Sequence, residues 1–244
     1  MFAPQQFPID SNEPVIDLEV FKGFRQPDGL GPLLRFVDSK NGIWQGTLLV
    51  MVPINGGRPK ALQISHGTAS APFLLDTFGA HSFYRYNLSV SLTDESQAIQ
   101  YSVQANNKTY QYTFNVPAIN ENSHIAFWSC NGFDCDQEHP ENFGGVSPLW
   151  RDLLRHHSQK PFHVQIGGGD QLYMDGSVNV WDLPTLKEFL QTEDIAERAL
   201  VPWSLQHEKE VSACYFRAYT SHFQTEAMKD AFASIPYTFM CDDQ

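Results

Sequence analysis

The chain has 244 residues, and 16 Lys plus Arg against 28 Asp plus Glu give a formal net charge of −12. Hydrophobic residues make up 42% and aromatic residues 13%, enough apolar surface to offset chain entropy, which excludes a disordered chain and leaves one large or two small domains. The acidic balance argues against nucleic acid or an anionic membrane surface as a partner, and a phosphorylated substrate would need a local cation such as a metal ion.

In chain order, residues 1–30 read as an extended arm. Strand patterns follow at Gly46–Val52, Ala61–Ser65 and Tyr84–Leu92, the last with Tyr86, Leu88, Val90 and Leu92 on one face. Ala98–Val103 is joined through Asn106-Asn107, residues that tolerate a tight turn, to a strand in which Tyr110, Tyr112, Phe114 and Val116 alternate with polar residues. Short strands with no helix between them predict an antiparallel, Ig-like β-sandwich over residues 31–120. No apolar run reaches the ~18–20 residues of a membrane span. The segment Met1–Gln6 lacks the basic and apolar stretches of a secretory signal. Four cysteines, Cys130, Cys135, Cys214 and Cys241, are too few for a disulfide scaffold, so the expected location is cytoplasmic. Two sequons, Asn87-Leu88-Ser89 and Asn107-Lys108-Thr109, point the other way.

After residue 120 strands alternate with helices, the order of an α/β unit with parallel strands. Ile125–Trp128 is a strand. Ser147-Pro148 opens a helix with Leu149, Trp150, Leu153 and Leu154 as its apolar face. Phe162–Ile166 is the next strand, ended by Gly167-Gly168-Gly169, where the glycines allow close backbone approach. Helices are predicted at Pro184–Thr192, Glu208–Phe223 and Thr225–Ser234, and a third strand at Pro236–Met240.

In an open α/β sheet, sites form at the carboxyl ends of strands. Those ends carry Cys130, Asp170 and Asp242-Asp243, so three strands deliver a thiol and carboxylates to one edge. Crowded carboxylates repel one another and take up protons unless a cation relieves them, and carboxylate plus thiolate is a plausible metal-donor set. Singly, each residue also has a structural reading. Asp170 fits a turn or cap, and Cys130 or Cys241 a small buried side chain. His156 and His157 fit a solvated helix side, and Arg217 a salt bridge within the helical insertion. His139, in the Asp134–Asn142 loop, is the histidine placed nearest the site.

Phe127-Trp128-Ser129-Cys130-Asn131-Gly132-Phe133, Gly167-Gly168-Gly169-Asp170-Gln171-Leu172-Tyr173-Met174-Asp175-Gly176 and Phe239-Met240-Cys241-Asp242-Asp243 resemble the PhoD-like metallophosphatase family (alkaline phosphatase D), especially its fungal branch. The resemblance implies a calcineurin-like metallophosphoesterase α/β domain over residues 121–244, following the β-sandwich. It also implies two metal ions, ferric iron or zinc beside calcium or another divalent ion, acting on a phosphorylated small molecule or a phosphodiester. Carried over, Cys130, Asp170, Tyr173 and Asp243 are metal ligands, with Asn131, Asp242 and His139 in supporting positions.

The sequence departs from the family where Asp-Asp-His is expected: it reads Asp242-Asp243-Gln244, and glutamine cannot transfer a proton to a leaving group. The later histidine motifs are absent, and a three-stranded parallel sheet ending on a strand has no element to cover its far edge. The expectation is therefore an incomplete chain with weak or no activity of its own. Alternatives are a catalytically dead remnant whose β-sandwich is an interaction module, and a thiol-dependent hydrolase using Cys130, which requires a histidine at the sulfur.

Overall fold

A computed structural model describes residues 28–132, 147–174 and 179–240. Nearly all of the expected arm, and Asp242, Asp243, Gln244 and His139 with it, lie outside the described residues.

The chain is mixed α/β. Eight strands come first: β1 (Leu30–Lys40), β2 (Ile43–Pro53), β3 (Gln63–Ile64), β4 (Thr68–Ala69), β5 (Phe73–Phe78), β6 (His81–Ser91), β7 (Gln97–Ala105) and β8 (Lys108–Val116). Then come β9 (Ile125–Trp128), α1 (Pro148–Gln159), β10 (Val164–Gly167), α2 (Pro184–Leu190), α3 (Ile195–Arg198), α4 (Leu205–His222), α5 (Glu226–Ser234) and β11 (Tyr237–Phe239). Asn41 and Gly42, and again Asn106 and Asn107, adopt the positive φ that two-residue hairpin turns require. Ser204 caps α4 by accepting from the His207 backbone N–H, while the His207 side chain accepts from the Ser204 N–H.

One eight-stranded sheet runs β4-β6-β2-β1-β11-β10-β9, with β5 also on β6, and a second runs β3-β7-β8. β1, β2 and β6 pair antiparallel, whereas β1, β11, β10 and β9 are parallel to one another. The far edge of β11, expected to be bare, is therefore covered: β1 pairs with it through Arg35 and Tyr237. The change of pattern at residue 120 marks a change of connectivity within a shared sheet.

The two sheets face each other across a cluster that includes Leu34, Trp44, Leu48, Val50, Tyr86, Leu88 and Val90 from one and Ile99, Val103, Phe114 and Val116 from the other. Adjacent residues split as the pleat requires: Leu33 and Met51 join a different cluster from Leu34 and Val50. In that second cluster Phe232 of α5 is fully buried among Trp150 (5.5 Å between ring centres), Phe223 (5.0 Å) and Tyr237 (5.1 Å). α5 also joins the small sheet, since Tyr101 Oη donates to Ala233 O at 2.8 Å and Tyr112 Oη to Asp230 Oδ1 at 2.9 Å.

Gln165 holds the parallel strands to α5. Wholly buried in β10, it accepts from Trp128 Nε1 (3.1 Å) and donates to Ala231 O (3.1 Å) and Ile235 O (2.9 Å), so every amide atom is partnered. Two expectations are corrected here. Leu149 is 81% exposed because it precedes the buried stripe, which Trp150, Leu153 and Leu154 form. His157 is half-buried rather than solvated, its Nδ1 accepting from the Phe162 N–H at 3.0 Å. Arg217 is buried in α4, and no helix among the described residues is long and apolar enough to cross a membrane.

Candidate functional site

The segments leaving β9 and β10 are laced together by backbone bonds. Gly168 N–H donates to Trp128 O (2.7 Å), Cys130 N–H to Gly169 O (3.2 Å) and Asn131 N–H to Asp170 O (2.7 Å). Such close approach explains a glycine at position 168, where an added Cβ would come within 2.6 Å of the Phe127 ring. Met240 N–H reaches Gly167 O at 3.0 Å, joining the end of β11 to the same edge.

Cys130 (φ 59°) and Asp170 (φ 53°) both stand in the left-handed region, where non-glycine residues are uncommon and strain gathers at functional positions. Their side chains meet. Cys130 Sγ and Tyr173 Oη each lie 3.3 Å from the same oxygen, Asp170 Oδ2, and Ser129 Oγ is 3.3 Å from Sγ. Gly132 leaves room for Tyr173, since a Cβ there would sit 2.6 Å from its ring.

This crowding shows in the electrostatics. The hydrogen bond with Cys130, then desolvation and the Asp170 charge, push the Tyr173 phenol above its ordinary range. A thiol, a carboxylate and a phenol converging on one oxygen are three metal-donor groups, each of which a cation would hold in its anionic form. The residues present therefore fit a metal ion, although among the described residues no three His, Cys, Asp or Glu side chains form a group on their own.

Asn131 faces away from that trio. Trp150 Nε1 donates to its Oδ1 at 2.8 Å, and its Nδ2 lies 3.2 Å from Gln171 O, 2.8 Å from His222 Nε2 and 3.4 Å from Met228 Sδ. Burial lowers the His222 pKa and favours the neutral ring. Gln171 Nε2 in turn donates to Met240 O at 3.1 Å. Trp150, His222 and Met228 were not among the expected site residues. Their contacts with Asn131 span long stretches of sequence, and His222 reads as an ordinary end-of-helix cation. Among the described residues the hydrogen-bonding neighbours of Cys130 Sγ carry oxygen rather than imidazole.

Residues 90–244, more than half of the chain, match the PhoD related phosphatase family. The chain belongs to that family. A curated relative, the uncharacterized protein YGR266W of Saccharomyces cerevisiae, is 26% identical over 212 residues, covering 79% of this chain and 29% of the yeast protein. The PhoD-related chain thus spans less than a third of that relative's length. PhoD-like phosphatases generally depend on metal ions.

Proposed function

We propose that the carboxyl edge of β9, β10 and β11 is the metal site of a phosphoester hydrolase with a calcineurin-like two-ion centre. Residues 121–244 would carry the chemistry, and strands from residues 31–120, an Ig-like sandwich in this reading, would support it. Cys130, Asp170 and Tyr173 would hold the first ion, ferric iron or zinc, with Asp170 shared toward a second such as calcium. Asp243 would serve the second ion, with Asp242 and His139 in supporting roles. The observation that carries this reading is the meeting of Cys130 Sγ and Tyr173 Oη on one Asp170 oxygen, in a chain of this family.

When bound, the ions supply Lewis acidity and a water acidic enough to attack phosphorus near neutral pH. The protein's own part is to hold the donors. The backbone lacing between Trp128–Asn131 and Gly168–Asp170 fixes Cys130 and Asp170 relative to each other before any ion arrives, and Gly132 seats the Tyr173 ring. A net charge of −12 offers a phosphate no long-range attraction, so affinity for an anionic substrate must be local to the ions.

The test is hydrolysis of p-nitrophenyl phosphate and a diester analogue by the purified chain with added iron, zinc or calcium, beside metal analysis of wild type and Asp170→Ala. Bound metal that is lost in the variant supports the site, and equal metal in both proteins overturns it. Chelator-sensitive turnover measures how much of the catalytic machinery this chain holds.

One feature favours a second reading, a binding module without catalysis. The three-stranded sheet carries an open concavity of about 530 Å³ lined mainly by uncharged polar side chains, among them Gln63, Ser65, Gln100, Ser102, Gln111 and Thr113. Ligand or glycan binding abolished by Gln100→Ala, with no metal taken up by the chain, would favour it.

A further inference from the structure

The Asn131 side chain, one residue after Cys130, is held from three helices at once, and that arrangement has a chemical logic. The Trp150 indole N–H can only donate, so the amide oxygen of Asn131 must face it, at 2.8 Å. The amide nitrogen is thereby turned toward Gln171 O (3.2 Å) and His222 Nε2 (2.8 Å). His222 Nε2 also lies 3.1 Å from the Asn131 backbone O, so it meets Asn131 in either tautomer, accepting from the amide N–H or donating to the carbonyl, while Met228 Sδ stands 3.4 Å from the same amide nitrogen. Asn131 is partly buried, so removing the His222 ring nitrogen takes a hydrogen-bond partner from it where water is scarce.

Residues 129–132, directly after β9, have no regular structure, and the left-handed backbone at Cys130 must be held by what surrounds it. Backbone bonds to Gly169 and Asp170 hold one side, and the Asn131 amide holds the other. His222 is the last residue of α4, a helix whose buried apolar residues, Ala213, Cys214 and Ala218, pack in a separate cluster. With Met228 of α5, it joins the helical insertion between β10 and β11 to the loop.

We propose that His222 is a positioning residue for the metal site, its Nε2 fixing the Asn131 amide so that the loop presents Cys130 Sγ to Asp170. The proposal rests on the metal-site reading above for its consequence, but the positioning itself can be read without metal.

The experiment uses the full chain and cobalt(II) chloride, whose thiolate complexes absorb in the near ultraviolet. His222→Phe keeps an aromatic ring but makes no hydrogen bond, and His222→Gln restores both an acceptor and a donor. Cobalt affinity and the sulfur-to-cobalt band should fall in His222→Phe, by about the 10–100-fold usual for residues that orient metal ligands. Both should stay near wild type in His222→Gln. In the metal-free protein, alkylation of Cys130 by iodoacetamide, read by peptide mapping, should be faster in His222→Phe than in wild type or His222→Gln.

Trp150→Phe releases the same amide from its other side and should reproduce the His222→Phe changes, so it decides the matter if His222→Phe does not fold. Wild-type affinity, band and alkylation rate in the folded variant would overturn the proposal. A wild-type protein that binds cobalt without any sulfur band would instead sink the metal-site reading, while the alkylation rates would still decide the role of His222.

Discussion

At the amino ends of β9 and β10, the backbone N–H of His124 donates to His163 Nδ1 at 2.9 Å and that of Phe162 to His157 Nδ1 at 3.0 Å. The Phe162 ring stacks on His124 and on His157, with centres 4.6 and 6.2 Å apart. At the carboxyl ends of the same strands, two residues take left-handed backbone angles and their side chains crowd one carboxylate oxygen. The first end uses its side chains to satisfy the backbone and depends on neutral imidazoles. The second bends its backbone to gather acidic donors. A pair of strands can thus keep a quiet end, where side chains complete the backbone, and an end that gathers a thiol and a phenol on one carboxylate.

The contrast is open to experiment. Asp170→Asn should have the largest effect: asparagine tolerates the left-handed backbone, so the metal-free fold stays, while metal affinity by calorimetric titration falls by more than about 100-fold, beyond what supporting residues usually cost. Gln165→Ala should damage both ends together. It strips partners from the Trp128 indole N–H and the Ile235 carbonyl, at about 1–3 kcal/mol for each group left unpaired, while the Ala231 carbonyl keeps the Ile235 N–H; urea unfolding measures the loss.

Acidification should act on the quiet end. Burial, then the neighbouring histidines, hold His157 below the ordinary 6.5, while at His163 burial outweighs the opposing pull of Glu121. Both rings are therefore neutral in the folded chain at pH values where the unfolded chain binds protons. Their contribution to stability is fully present above about pH 6.5 and is lost as pH falls from there through the lowered folded values. Melting temperature against pH, with a flatter acid limb in His163→Gln, checks this. At the bottom of the scale, Asp152→Asn removes an exposed pairing with Arg155 on the far side of α1 and should leave the melting temperature unchanged within error.

The carboxyl edge was legible because a strand imposes a period of two and its end is marked by glycine, so Cys130 and Asp170 could be placed on one rim before any coordinates. Tyr173 came only through the resemblance, since nothing in its spacing shows the room that Gly132 leaves for its ring. β1 went unread. Its sequence holds a Gly-Pro pair and two adjacent leucines, its register shifts twice against β2, and its pairing with β11 is set by packing that no local pattern encodes. The same limit hid His222, whose contact with Asn131 joins a helix end to a loop in a distant stretch of chain.

The placement of β11 between β1 and β10 carries a consequence for how the chain is made. Arg35 and Tyr237 are paired although about two hundred residues separate them, the kind of contact that closes late and slows folding. Until β11 is synthesised, the outer edge of β1 is an open row of backbone donors and acceptors, a template for misplaced strands from other nascent chains. Variants that weaken β11 would then be expected to fail first as aggregates during production, well before any loss of chemistry could be measured.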